Sequence, residues 1–293
     1  MVARVMQSAV LIVLTSLTLT GCGRQASKES SPNFDLLATG PDRKALPTPQ
    51  PFVSAALDAT GGLAAWEQCK RIEFRAAVTA CERSGSFYLT EHDFVLCPWS
   101  DAIQVTAHES RADFTWQVIR GQYHAPQADP NLDVSPFGGL RKDYADAALQ
   151  IVTAPVRMLE DNAVLTSRPA VVQIAGPWYL PIDAKYHISG GSLKAEGLGD
   201  GGTVGARSHP QAALEAATQS HWTQGIYFQS QDGSLVDMIW LGDPVAQKYL
   251  IVRGYDYIRN ADTGVKIPTK IEVFQSDPDV NIGPRLALVD LKQ

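Results

Sequence analysis

Ile72-Glu73-Phe74-Arg75-Ala76-Ala77-Val78-Thr79-Ala80-Cys81, followed after Ser84-Gly85 by the run from Phe87 to Cys97, decides the fold. Ile72, Phe74, Ala76, Val78 and Ala80 fall on one side of an extended chain, and Arg71, Glu73 and Arg75 on the other. A period of two predicts a strand with one buried face, and the small residues after it predict a turn into a returning strand. With the turn centred at Arg83, Arg75 faces Glu91 outside, Phe74 faces His92 inside, and Cys69 faces Cys97. The even-numbered face is therefore the candidate lining of a cavity: Ile72, Phe74, Phe94 and, from a later strand, Trp116.

The same alternation continues on both sides. Strands are expected at 102–108, 113–123, 171–174, 178–188, 226–231, 234–241, 249–258, 266–275 and 285–291, with Asp232-Gly233 the best short hairpin signal. Helical spacing replaces it in three places. Val53, Ala56, Leu57 and Thr60 share a helical face that Gly61-Gly62 ends, and a short helical turn carries Leu63 and Trp66. From Leu140 to Glu160 apolar residues recur as on an amphipathic helix, which Pro155 is expected to kink or break. Pro210 to Ser220 is a further short helix candidate, after a glycine-rich loop from Gly190 to Gly205.

Met1 to Gly21 has a different character. Arg4 precedes a run from Ala9 to Leu19 that is almost entirely apolar, too short to span a bilayer comfortably and about right for a signal-peptide core. It ends in Leu19-Thr20-Gly21-Cys22, which resembles the lipobox of bacterial lipoproteins. That resemblance implies cleavage before Cys22, acylation of its thiol, and a protein held in the cell envelope by lipid. Gly23, in place of aspartate, resembles the pattern destined for the outer membrane facing the periplasm if the cell has two membranes. The alternative is an ordinary secretory signal that contains a cysteine. Residues 22 to 51 are polar and proline-rich, ending Pro47-Thr48-Pro49-Gln50-Pro51. They are expected to be a disordered tether spanning roughly 30 Å. The folded part is then expected to be a single domain, 52–293.

Charge and chemistry narrow the function. The net charge of −6, with no basic run, argues against nucleic acid and against a polybasic membrane contact. Cys69, Cys81 and Cys97 remain after Cys22, and their spacing matches no zinc pattern. The register above makes Cys69–Cys97 the expected disulfide, with Cys81 free, and three reduced thiols the alternative. Gly197-Leu198-Gly199-Asp200-Gly201-Gly202 fits G-x-G-x-x-G literally, but no buried strand leads into it, so a surface loop is the reading. Glu91-His92-Asp93 alternates between faces and is read as a solvated strand face, not a metal site. No G-x-S-x-G elbow or H-E-x-x-H helix is present. The residues therefore point to no catalytic group, no cofactor and no metal. Trp66, Trp116, Trp178, Trp222 and Trp240 are either ligand-lining or core aromatics.

Two stretches carry a family resemblance. Ala59-Thr60-Gly61-Gly62-Leu63 with Trp66 and Ile72 resembles the opening of proteins in the outer-membrane lipoprotein-sorting (LolA/LolB/LppX-like) superfamily, and Ile267-Pro268-Thr269-Lys270-Ile271 resembles their penultimate strand. The resemblance implies an α+β fold: a strongly curved antiparallel sheet, an unclosed β-barrel, with helices covering an apolar concave face. It implies binding of a lipid, acyl chain or other apolar ligand without catalysis, in envelope lipid or lipoprotein handling. The soluble carriers of that superfamily lack a lipid anchor, so the lipobox favours an anchored binding protein over a shuttle. A structural or assembly lipoprotein binding an envelope protein partner is the alternative, and an extracytoplasmic hydrolase the third reading.

Overall fold

The computed structural model describes residues 33–41, 50–82, 84–131, 135–160, 163–168, 170–186, 223–229, 234–243 and 246–292. Thirteen strands among them form one antiparallel sheet in the order β5-β4-β3-β2-β1-β13-β12-β11-β10-β9-β8-β6, with β7 also paired to β8. The strands are β1 Ile72–Cys81, β2 Phe87–Cys97, β3 Ala102–His108, β4 Asp113–Ile119, β5 Gln122–His124, β6 Ala163–Ser167, β7 Val172–Gln173, β8 Trp178–Tyr186, β9 Thr223–Gln229, β10 Val236–Asp243, β11 Lys248–Arg259, β12 Lys266–Gln275 and β13 Arg285–Leu291. The first and last strands meet in mid-sheet, where Ala76 of β1 pairs with Leu291 of β13. The outer strands β5 and β6 do not pair with each other, so the sheet is unclosed.

Three helices, α1 Pro51–Ala59, α2 Leu63–Gln68 and α3 Arg141–Arg157, pack on one face. The buried α3 touches β3 and β4 as well as β10 to β13. In a flat sheet β4 and β10 would lie roughly 34 Å apart at the usual strand spacing. A helix about 10 Å wide reaches both only if the sheet curls around it. The core therefore lies in the hollow of a strongly curved half-barrel.

The first of the two stretches that carried the family resemblance meets the residues that lead into the second. The Thr60 hydroxyl donates to the Ala56 carbonyl at 2.7 Å and accepts from Trp66 Nε1 at 3.0 Å, closing the α1–α2 corner. Gly61, at φ 123°, lies so close to Gly264 that an added Cβ would come within 2.9 Å of its carbonyl oxygen. Thr60 O then accepts from the Lys266 amide at 2.8 Å, at the start of β12. A glycine is required there by both the backbone angle and the approach.

Several expectations need correction. The β1–β2 turn centres on Ser84, one residue later than expected, so partners shift by two: Phe74 faces Phe94 and Arg75 faces Asp93. Cys69 and Cys97 consequently do not pair, and both are free buried thiols, as Cys81 is a free half-buried one. Cys69 belongs to the main core, whereas Cys97 packs with Phe34 and Ala102 in a separate cluster. Burial raises both thiols to about 11.

The tether is not structureless throughout. Asn33 caps a 3-10 turn at Phe34–Leu37, and Phe34 is buried against Cys97 and Ala102. Ser100 Oγ donates to Leu37 O at 2.6 Å and fastens this turn to the corner before β3. The extended run expected at 113–123 folds back at Arg120-Gly121, both at positive φ (49° and 72°), giving β4 and β5. Helix α3 runs through Pro155, which lies in its last turn, without a break. The glycine-rich pattern at 197–202, the helix expected at 210–220, the hairpin dipeptide 232–233 and Cys22 lie outside the described residues.

Candidate functional site

Ile72, Phe94 and Trp116 belong to the main core cluster, and Phe74 packs against it. Phe74 and Phe94 stack at 4.9 Å, and Trp116 meets His92 edge-on at 6.0 Å. Ile72, Phe94 and Trp116 are fully buried with Phe114, Phe137 and Tyr144. Trp116 meets Tyr144 of α3 edge-on at 5.9 Å, so this end of the face seats the helix rather than standing as an open wall.

His92 is the correction to the solvated reading of Glu91-His92-Asp93. Its ring lies inside an aromatic surround of Phe94, Trp116, Phe137 and Tyr144, with centroids 5.2–6.1 Å away. Nε2 and the Tyr144 hydroxyl are 3.0 Å apart. Burial pushes the imidazole down to about 3, so it is neutral at ordinary pH. Its neighbours turn to the other face, where Asp93 accepts from Arg75 at 2.7 Å and Glu91 pairs with Lys292.

Polar side chains anchor α3 in this seat. Arg141 and Glu109 are 2.7 Å apart with both side chains 1 % exposed, and Arg141 also reaches Asp129 at 2.7 Å. The guanidinium lies 4.8 Å from the Phe114 ring and 4.9 Å from Trp116. Further along, Gln150 donates to Asp146 at 3.0 Å and accepts from Gln224 of β9 at 2.6 Å. Burial, aided by Asp101, raises the Asp146 carboxyl to about 6. Arg157 closes the helix on Asp101.

Beyond α3 the concave face continues as an apolar shelf over β6, β8 and β9. Ile182 and Ala184 of β8 and Ile226 and Phe228 of β9 are buried in the core. On the same face of β8, two residues apart, Leu180 remains 41 % and Trp178 51 % exposed. Leu180 pairs with Phe228, so the exposed side chains continue the buried surface rather than stand alone on the exterior. The arrangement offers apolar contact to a ligand lying along the hollow. Sequence reading named Trp178 only among the aromatics and missed Leu180. The available signal was the unbroken apolar run Trp178-Tyr179-Leu180-Pro181-Ile182, which marks a strand apolar on both faces.

No family model and no curated protein matches the chain. A crystal structure of a LolA superfamily protein from Nitrosomonas europaea is similar with a TM-score of 0.40 and 7% identity, covering 76% of this chain and 84% of that one.

Proposed function

We propose that this chain is a lipid-anchored protein of the cell envelope, tethered through Cys22, which binds a lipid acyl chain or other apolar ligand on the concave shelf of its half-barrel. The observation that carries the reading is the exposed pair Trp178 and Leu180, continuing the buried apolar face of β8 past the reach of α3. Each methylene that leaves water on such a surface contributes about 0.8 kcal/mol, enough for a chain of a dozen carbons to be held. If the cell has two membranes, the residues around Cys22 favour the outer membrane, with the domain facing the periplasm.

The test is titration of the Cys22→Ala chain with a fluorescent fatty-acid analogue. Saturable binding is expected, weakened roughly tenfold or more by Leu180→Glu, which places a charge on the shelf. Leu180→Glu should leave the melting temperature nearly unchanged, since the side chain is exposed. Absence of saturable binding to the parent chain overturns the reading. A second reading, docking of an envelope protein partner, is favoured by one observation: Ile72, Phe94 and Trp116, three of the four expected lining residues, are buried in the core. Photo-crosslinking from position 178 that yields a protein adduct, in a chain that binds no lipid probe, would decide for it.

A further inference from the structure

The opposite, convex face carries a second apolar cluster, built on Tyr179, Tyr227, Met238 and Ile251. Two lips stand over it, residues 172–175, which include β7, and residues 279–282 before β13, and flank an open cleft of about 440 Å³. That volume lies within the range of small-molecule sites. Val172 and Ile174 line one lip, Val280 and Ile282 the other, and Tyr227 belongs to the lining as well as to the cluster beneath. The Tyr227 ring lies down over Gly225, where an added Cβ would come within 2.8 Å of Cε2. Trp240 Nε1 donates to Asp277 O at 3.0 Å and ties the second lip to the sheet.

The charges of the cleft do not cancel. Arg168 is committed to Asp183 through two hydrogen bonds of 2.9 and 2.8 Å. The Asp277 carboxylate, just behind the lip, accepts from the Asp279 and Asn281 amides, both at 3.0 Å, and from Asn281 Nδ2 at 2.8 Å. Asp279, a lining residue, is exposed and has no ion-pair partner among the described residues. The cleft thus combines aliphatic walls with an uncompensated negative rim.

We propose that this convex cleft binds a small amphipathic organic cation, its apolar body between Val172/Ile174 and Val280/Ile282 and its ammonium group at Asp279. The site is separate from the concave shelf and does not depend on what that shelf binds.

Calorimetric titration of the Cys22→Ala chain with protonated 2-phenylethylamine, against neutral 2-phenylethanol, tests it. The amine is expected to saturate with a Kd below about 1 mM and to bind roughly fivefold or more tighter than the alcohol. Asp279→Asn should abolish that difference while leaving the alcohol's affinity unchanged. Gly225→Ala, which displaces the Tyr227 ring, should weaken both ligands, and Ile174→Arg serves the same purpose should Gly225→Ala melt early. Leu180→Glu should change neither affinity, which separates this site from the concave one. Failure of the amine to saturate by about 10 mM, equal affinity for amine and alcohol, or an Asp279→Asn chain that still prefers the amine overturns the proposal.

Discussion

Two buried titratable residues set opposed pH demands on the fold. His92 is held near 3 against an ordinary 6.5, so between those values the unfolded chain takes up a proton that the folded one refuses. Its contribution to stability is therefore lost as pH falls below about 6.5. Asp146 is raised from 3.8 to about 6, so within that window the folded chain keeps a proton the unfolded one has shed, and stability is lost as pH rises through it. Asp101, Arg157 and Lys142 are the charges that act on Asp146. Above pH 6 the protein carries the full cost of a buried carboxylate. Asp146→Asn removes that charge while an amide oxygen can still accept from Gln150. It is expected to stabilise the chain by about 1–3 kcal/mol at pH 7 and to give no gain at pH 4. Denaturant unfolding of both chains at the two pH values checks this, and an equal shift at both would contradict it. Neither shift is legible in the sequence, because each arises from burial beneath residues far away in the chain.

At the scale of elements, α3 comes close to the sheet at Gly254 of β11. A Cβ there would meet Ile151 Cγ1 at 3.1 Å, the Tyr257 hydroxyl at 3.1 Å and Pro268 Cβ at 3.2 Å. Gly254→Ala is expected to cost about 1–3 kcal/mol by pushing α3 off its seat. Ile151→Ala, which removes the atom the new methyl meets, should cost less in the Gly254→Ala background than alone, giving a favourable coupling. Additive losses would show that α3 is not what the new methyl meets. Element boundaries were legible where alternation was clean: β3 spans the expected 102–108, and β12 and β13 the expected 266–275 and 285–291. Edge strand β6 went unread because Val164, Thr166 and Ser167 are exposed, so little distinguishes it from a loop. The β4–β5 hairpin was hidden because Arg120-Gly121 interrupts what otherwise reads as one extended run.

At the scale of the whole molecule, the anchor and the folded unit are separable claims. Ser31–Gln293 forms one compact unit, and Cys22 precedes it in the sequence. Cys22→Ala is expected to abolish incorporation of labelled palmitate and move the protein to the soluble fraction, with its melting temperature unchanged. Continued partition with membranes would defeat the lipoprotein reading. By itself the sequence determined which face of each clean strand turns inward and where the long helix lies. Those properties follow from backbone periodicity and need no distant partner. It also holds the tetrad Leu19-Thr20-Gly21-Cys22, on which the proposed anchor rests. Only the tertiary structure decided that β1 pairs with β13 two hundred residues on, that α3 fills the hollow over Phe94 and Trp116, and that a second apolar cluster covers the convex face. A side chain becomes wall, seat or surface according to what other segments lay against it, and that packing is not written in the spacing of its neighbours.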